Sequence, residues 1–166
     1  MCHAWVAFRK VINMKSVALF VAGLLLAGSV LAVATSTVTS AATPDEIIAQ
    51  RQANQKRVGE ISDGIKKALA GGATAASQLD VVKEMDQRAH LLKGYFPEGT
   101  ETGGNTKAKP EIWSDRDGFN KANDTYTDAV DKLLTLAQAG DTAGFTAQFT
   151  QVGGTCGACH RVYRNR

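Results

Sequence analysis

Residues 141–164 read Asp-Thr-Ala-Gly-Phe-Thr-Ala-Gln-Phe-Thr-Gln-Val-Gly-Gly-Thr-Cys-Gly-Ala-Cys-His-Arg-Val-Tyr-Arg. Asp141 suits a helix cap, and Gly140 before it suits the end of a preceding helix. Phe145, Phe149, Val152, Cys156, Cys159 and Tyr163 then recur at intervals of three and four. That period places them on one face of a helix, with both cysteines on the apolar stripe. No stretch of the chain alternates at period two, so strands are not expected.

Three more helical segments precede this one. Thr43-Pro44-Asp45-Glu46 combines a cap, a proline at the first helical position and a capping-box glutamate. Ile47, Ile48, Arg51, Gln55, Val58, Ile61 or Ser62, Ile65 and Leu69 come after it at helical spacing, and Gly71-Gly72 ends the run. A second helix is predicted over 75–95, with Leu79, Val82, Met85, Ala89, Leu92 and Phe96 near one face. Residues 97–109 form a long polar loop, a length that tends to carry function. The third helix is predicted to begin near Ile112 or Asp115 and to run to Gly140 on a stripe of Phe119, Ala122, Tyr126, Ala129 or Val130, Leu133 and Ala137. Four amphipathic helices with two short connections and one longer one predict an all-α, antiparallel four-helix bundle over residues 43–166.

The N-terminal 42 residues read differently. No charge lies between Lys15 and Asp45, and residues 17–34 are almost continuously apolar behind Arg9, Lys10 and Lys15. A basic flank, an apolar core and small residues at 32–34 or 40–42 describe a cleaved export signal. An uncleaved anchor is the competing reading, because 18 apolar residues just span a bilayer. Met14 is a natural start within this segment. The net charge of +3 belongs to it: it holds three of the 19 basic residues and none of the 16 acidic ones. Residues 43–166 carry no net charge, so a nucleic-acid partner has no electrostatic basis. Cys2, one of three cysteines, lies in the N-terminal segment too, which leaves Cys156 and Cys159.

Cys156-Gly157-Ala158-Cys159-His160 is the pattern by which c-type haem is attached. On a helix, positions i, i+3 and i+4 share a face. Two thiols there reach the vinyl groups along one haem edge, and the imidazole next to them reaches the iron. A thioredoxin-like dithiol requires a strand and a helix N-terminus, neither of which is predicted here. A structural zinc site needs about four ligands, and His90 alone is available beyond the cluster. The reading is one covalent haem c held by Cys156 and Cys159, with His160 as metal ligand.

With these residues in view the chain resembles the cytochrome c′ family and its low-spin relatives. The resemblance rests on Arg51-Gln52-Ala53, on Pro110 to Asp115 with Phe119, and on the haem motif with Tyr163-Arg164, and it covers residues 43–166. It implies a haem inside the bundle, Arg164 near the His160 imidazole, Arg51 and Gln52 near the propionates, and Trp113 and Phe119 as pocket walls. A guanidinium on an apolar stripe also calls for an anionic partner; the competing reading has Arg51 snorkelling to solvent. For Arg164 the competing reading is a solvated terminal charge.

By the same resemblance the residue four positions after that arginine lies over the open haem face. It is apolar in typical gas-binding members and methionine in many electron carriers. Here it is Gln55, and residues 44–70 contain no methionine. Two readings stand: Gln55 donates to a distal ligand, or the helix is rotated and Val58 or Ile61 covers the haem. Met85 reads as core filler and His90 as a boundary residue, each a less favoured sixth ligand. The expected function is a periplasmic haem protein, not an enzyme, with a five-coordinate iron that binds nitric oxide or carbon monoxide. The alternative is a low-spin electron carrier with a redox partner protein. In many family members the first two helices form a dimer interface, for which Val81, Leu91 and Tyr95 are the candidates.

Overall fold

The computed structural model describes residues 41–166. The predicted export signal therefore lies outside the described residues, apart from its last two positions. Helix α1 spans Pro44–Ala70. The Thr43 backbone N–H donates to Glu46 Oε2 at 2.7 Å, and Glu46 N–H donates back to Thr43 Oγ1 at 3.3 Å. Two of the amides that every helix start leaves unpaired are thus satisfied.

The second helical segment is divided. A 3-10 turn at Ala76–Gln78 leads into α2, Leu79–Leu91, and a second such turn occupies Leu92–Tyr95. The α-helix therefore stops four residues short of the predicted end at Tyr95. Gly94 weakens the last turn, and Phe96, at φ −125° and ψ 50°, has left the α region that Pro97 disfavours for the residue before it.

The predicted third helix also has a break. A short α3, Glu111–Ser114, ends at Asp115, whose non-helical backbone (φ −120°, ψ 59°) restarts the chain as α4, Arg116–Ala139. Asp115 Oδ1 accepts the Gly118 N–H at 3.2 Å and so caps the new helix. The two candidate starts, Ile112 and Asp115, are signals for two different helices. Gly140 adopts φ +69° and closes α4. Asp141 then caps α5, Thr142–Tyr163, by accepting the Gly144 N–H at 2.9 Å.

Helices α1, α2, α4 and α5 form the antiparallel four-helix bundle. Helix α4 packs against both α2 and α5, and α1 packs against α2. Ile65, Val82, Met85, Val130, Leu133, Phe145 and Val152 fill the centre and are almost wholly shielded from water. Burying one such side chain stabilises the fold by about 1.5–3 kcal/mol. An edge-to-face aromatic row, Trp113–Phe96–Phe119–Tyr163, continues the core towards the end of α5, with centroid separations of 6.1, 4.9 and 5.5 Å. There the chain end pairs with the long loop. Lys109 N–H donates to Tyr163 O at 3.1 Å, and Asn165 N–H donates to Lys107 O at 2.8 Å, around an antiparallel bridge between Ala108 and Arg164. No described helix is long and apolar enough to cross a membrane.

Candidate haem site

Where α1 faces α4 and α5 the bundle leaves a cavity of about 610 Å³. This lies within the usual size of ligand pockets, roughly 300–1,000 Å³. From α1 it is lined by Arg51, Gln52, Gln55, Val58 and Ser62, and from α4 by Phe119, Ala122, Asn123 and Tyr126. Cys156, Cys159, His160 and Tyr163 line it from α5, with Arg164 just beyond. The two sulfurs and the imidazole therefore share one wall, as the spacing of the motif requires. Both cysteines are free and half-buried.

The wall is chemically suited to a bound group. Asn123 Oδ1 and the Tyr126 hydroxyl are buried, border the cavity and have no hydrogen-bond partner among the described residues. Leaving a buried polar group unsatisfied costs about 1–3 kcal/mol. Two such groups on one cavity wall are the mark of a site shaped for something that fills it. Burial raises the pKa of both thiols, and for Cys159 the neighbouring Cys156 adds to the effect. The His160 imidazole is shifted down, by burial first and then by the Arg164 charge, which favours the neutral ring that ligates metals. The Tyr163 hydroxyl is pushed up to about 12, first by burial and then by Asp115.

Arg51 is only 3% exposed, so it does not snorkel. Its Nη1 donates to Thr100 Oγ1 at 3.1 Å, and its Nη2 donates to Thr100 O at 3.0 Å and to Thr106 Oγ1. The guanidinium carbon also lies 5.0 Å from the Phe96 ring centre and 5.8 Å from that of Trp113. Burial lowers its pKa, and the Glu101 charge partly offsets this. Loop 97–106 is thus folded over α1 by one side chain. Gln52 adds to the same tie by donating to Gly104 O at 3.0 Å.

The remaining expected site residues divide into those that border the cavity and those that do not. Phe119 lines the cavity. Trp113 does not: it packs behind Arg51 and donates from Nε1 to Pro97 O at 3.0 Å. Gln55 and Val58 both border the cavity, whereas Ile61 lies in the core. The Gln55 side chain, half-buried, makes no hydrogen bond among the described residues. Met85 is buried in the bundle centre, and exposed His90 meets Asp131 at 3.0 Å; neither borders the cavity. Sequence reasoning missed Asn123, whose amide occupies the α4 stripe between Phe119 and Tyr126; a polar residue at a core-spaced position was the available signal. Thr100 and Thr106 carried no such signal, since only the folded loop brings them to Arg51.

Comparison with known proteins agrees with this geometry. Residues 46–164 match the family model described as Cytochrome C′. Cytochrome c′ of Rhodospirillum rubrum is 30% identical over 142 residues, which cover 85% of this chain and 97% of the relative. The crystal structure of cytochrome c′ from Rubrivivax gelatinosus superposes with a TM-score of 0.71 at 29% identity, covering 76% of this chain and 100% of the other. A ferrous variant of cytochrome c′ from Alcaligenes xylosoxidans with bound nitric oxide gives 0.70 at 30% identity, with 76% and 99% covered.

Proposed function

This chain belongs to the cytochrome c′ family, whose members carry one covalent c-type haem, and from that premise we propose that it is an exported haem protein whose iron binds a diatomic gas. Cys156 and Cys159 hold the haem by thioether bonds, and His160 is the iron ligand from the protein. When bound, the haem supplies an iron with one position free for nitric oxide or carbon monoxide.

The chain's own residues prepare that position. The observation that carries the reading is the composition of the cavity wall: among the described residues it contains no methionine and no histidine other than His160. Val58 and Phe119 keep water out by lining the cavity with apolar surface. Gln55, with its amide unengaged, donates a hydrogen bond to the bound gas. Arg51 and Gln52 stand at the same cavity and bring a buried positive charge towards the propionates. Arg164 lies beside His160 and favours its neutral form.

Export to the periplasm is part of the proposal. It is supported by the basic-then-apolar character of residues 9–34 and by the attachment of c-type haem outside the bacterial cytoplasm. Val81 and Leu91, exposed at 37% and 55%, are the proposed homodimer contacts on α2. Tyr95 packs against the core instead.

The test is an absorption spectrum of the reduced protein before and after addition of carbon monoxide. A broad high-spin band displaced by the gas is expected. A sharp low-spin band left unchanged would transfer the reading to electron carriage with a redox partner.

A further inference from the structure

Away from the cavity, three side chains with metal-binding chemistry meet across α2 and α4. Asp86 and His90 are one turn apart on α2, and Asp131 stands opposite on α4. His90 Nε2 lies 3.0 Å from Asp131 Oδ1 and 3.8 Å from Asp86 Oδ1, and the three donor atoms are all within 4.8 Å of one another. Around a tetrahedral ion with bonds of about 2.0–2.1 Å, neighbouring ligand atoms stand roughly 3.3 Å apart. The cluster is already close to that spacing.

Several other carboxylates on the same two helices are paired with a lysine or arginine. Glu84 is paired with Arg57 and Arg88, Asp124 with Lys93, and Asp80 with Lys83. Asp86 and Asp131 have no lysine or arginine partner among the described residues; their shared ion-pair partner is His90. Oxygens of the two carboxyl groups lie within 4.8 Å of one another, where two negative charges repel. A bound cation relieves that repulsion. An imidazole combined with two carboxylates suits borderline first-row ions better than calcium or magnesium, which prefer all-oxygen shells.

We propose that Asp86, His90 and Asp131 form a surface site for a divalent first-row transition-metal cation, of which Zn²⁺ is the representative, joining α2 to α4. Three protein ligands leave further positions to water. The site is separate from the haem cavity, because none of the three borders it.

The experiment uses haem-loaded protein stripped with a chelator and titrated with zinc chloride in a calorimeter. One Zn²⁺ per chain is expected to bind saturably. His90→Ala and Asp131→Asn are each expected to weaken binding at least about tenfold, as loss of metal-site support generally does. Their haem absorption bands and helical circular dichroism should match the parent, since both residues lie on the surface. Absence of saturable one-to-one binding overturns the proposal. So does unchanged affinity in both variants, which would place the metal elsewhere.

Discussion

The Tyr163 hydroxyl donates to Asp115 Oδ2 at 2.7 Å, tying the last turn of α5 to the start of α4. The other oxygen of the same carboxylate caps α4 by accepting from Gly118. Gly118 is required for this arrangement, because a Cβ there would lie 2.2 Å from Asp115 Oδ2 and 2.6 Å from the Tyr163 hydroxyl. Tyr163→Phe is expected to cost about 1.5–3 kcal/mol, the range for a hydrogen bond to a charged group. Asp115→Ala should cost about 1 kcal/mol more, since the cap is lost as well. Denaturant unfolding of the haem-loaded protein measures both, and equal losses would show that the cap contributes nothing.

Arg51 holds the long loop through neutral oxygens and aromatic faces. Arg51→Ala is expected to destabilise the protein by about 2–3 kcal/mol, the upper part of the range for losing a buried network. Arg51→Lys should recover less than half of that, because an ammonium cannot fork between Thr100 and Thr106. Proteolysis within residues 97–109 should accelerate in both variants, and an unchanged cleavage rate would disconnect the loop from Arg51.

Replacing Gln55 by leucine removes the amide from the cavity wall. A neutral hydrogen bond contributes about 1 kcal/mol, which corresponds to roughly fivefold faster release of bound carbon monoxide. Laser photolysis or ligand-exchange kinetics measures that rate. An identical rate would place Gln55 away from the bound gas.

Acid should loosen the contact between α1 and α2. Glu84 accepts from Arg57 Nε at 2.8 Å and Nη2 at 2.7 Å, and from Arg88 Nε at 2.9 Å. These bonds, those from Arg57 first, lower its pKa to about 2 from an ordinary 4.5. The folded value is the depressed one, so the contribution is fully present above the ordinary value and fades as pH falls from 4.5 to about 2. Glu84→Gln should flatten the pH dependence of the thermal midpoint across that interval. A profile identical to the parent's would assign acid sensitivity to other carboxylates.

The features legible in the sequence are local ones. The capping box at Thr43, the Gly140-Asp141 boundary and the three-four period of each stripe depend on neighbours within one or two turns, and all appear in the structure. The haem motif is equally local, so the shared wall of Cys156, Cys159 and His160 was foreseeable. Arg51 stands out in the sequence as an odd residue on an apolar stripe. Its partners do not, because Thr100 and Thr106 lie 49 and 55 residues away in the chain. Trp113 shows the same limit: its place behind Arg51 rather than on the cavity wall depends on how the loop folds. The pairing of Asp86 and His90 at one-turn spacing is visible in the sequence, but the approach of Asp131 needs the packing of α4 on α2.

The junction of the chain end with the long loop is made by backbone atoms: Lys109 N–H to Tyr163 O and Asn165 N–H to Lys107 O. Side-chain identity does not enter those bonds. The exposed side chain of Asn165 is therefore free to be exchanged during divergence without opening the bundle at that edge. Along this border the closure of the bundle is kept by the main chain, while the outward side chain can be rewritten.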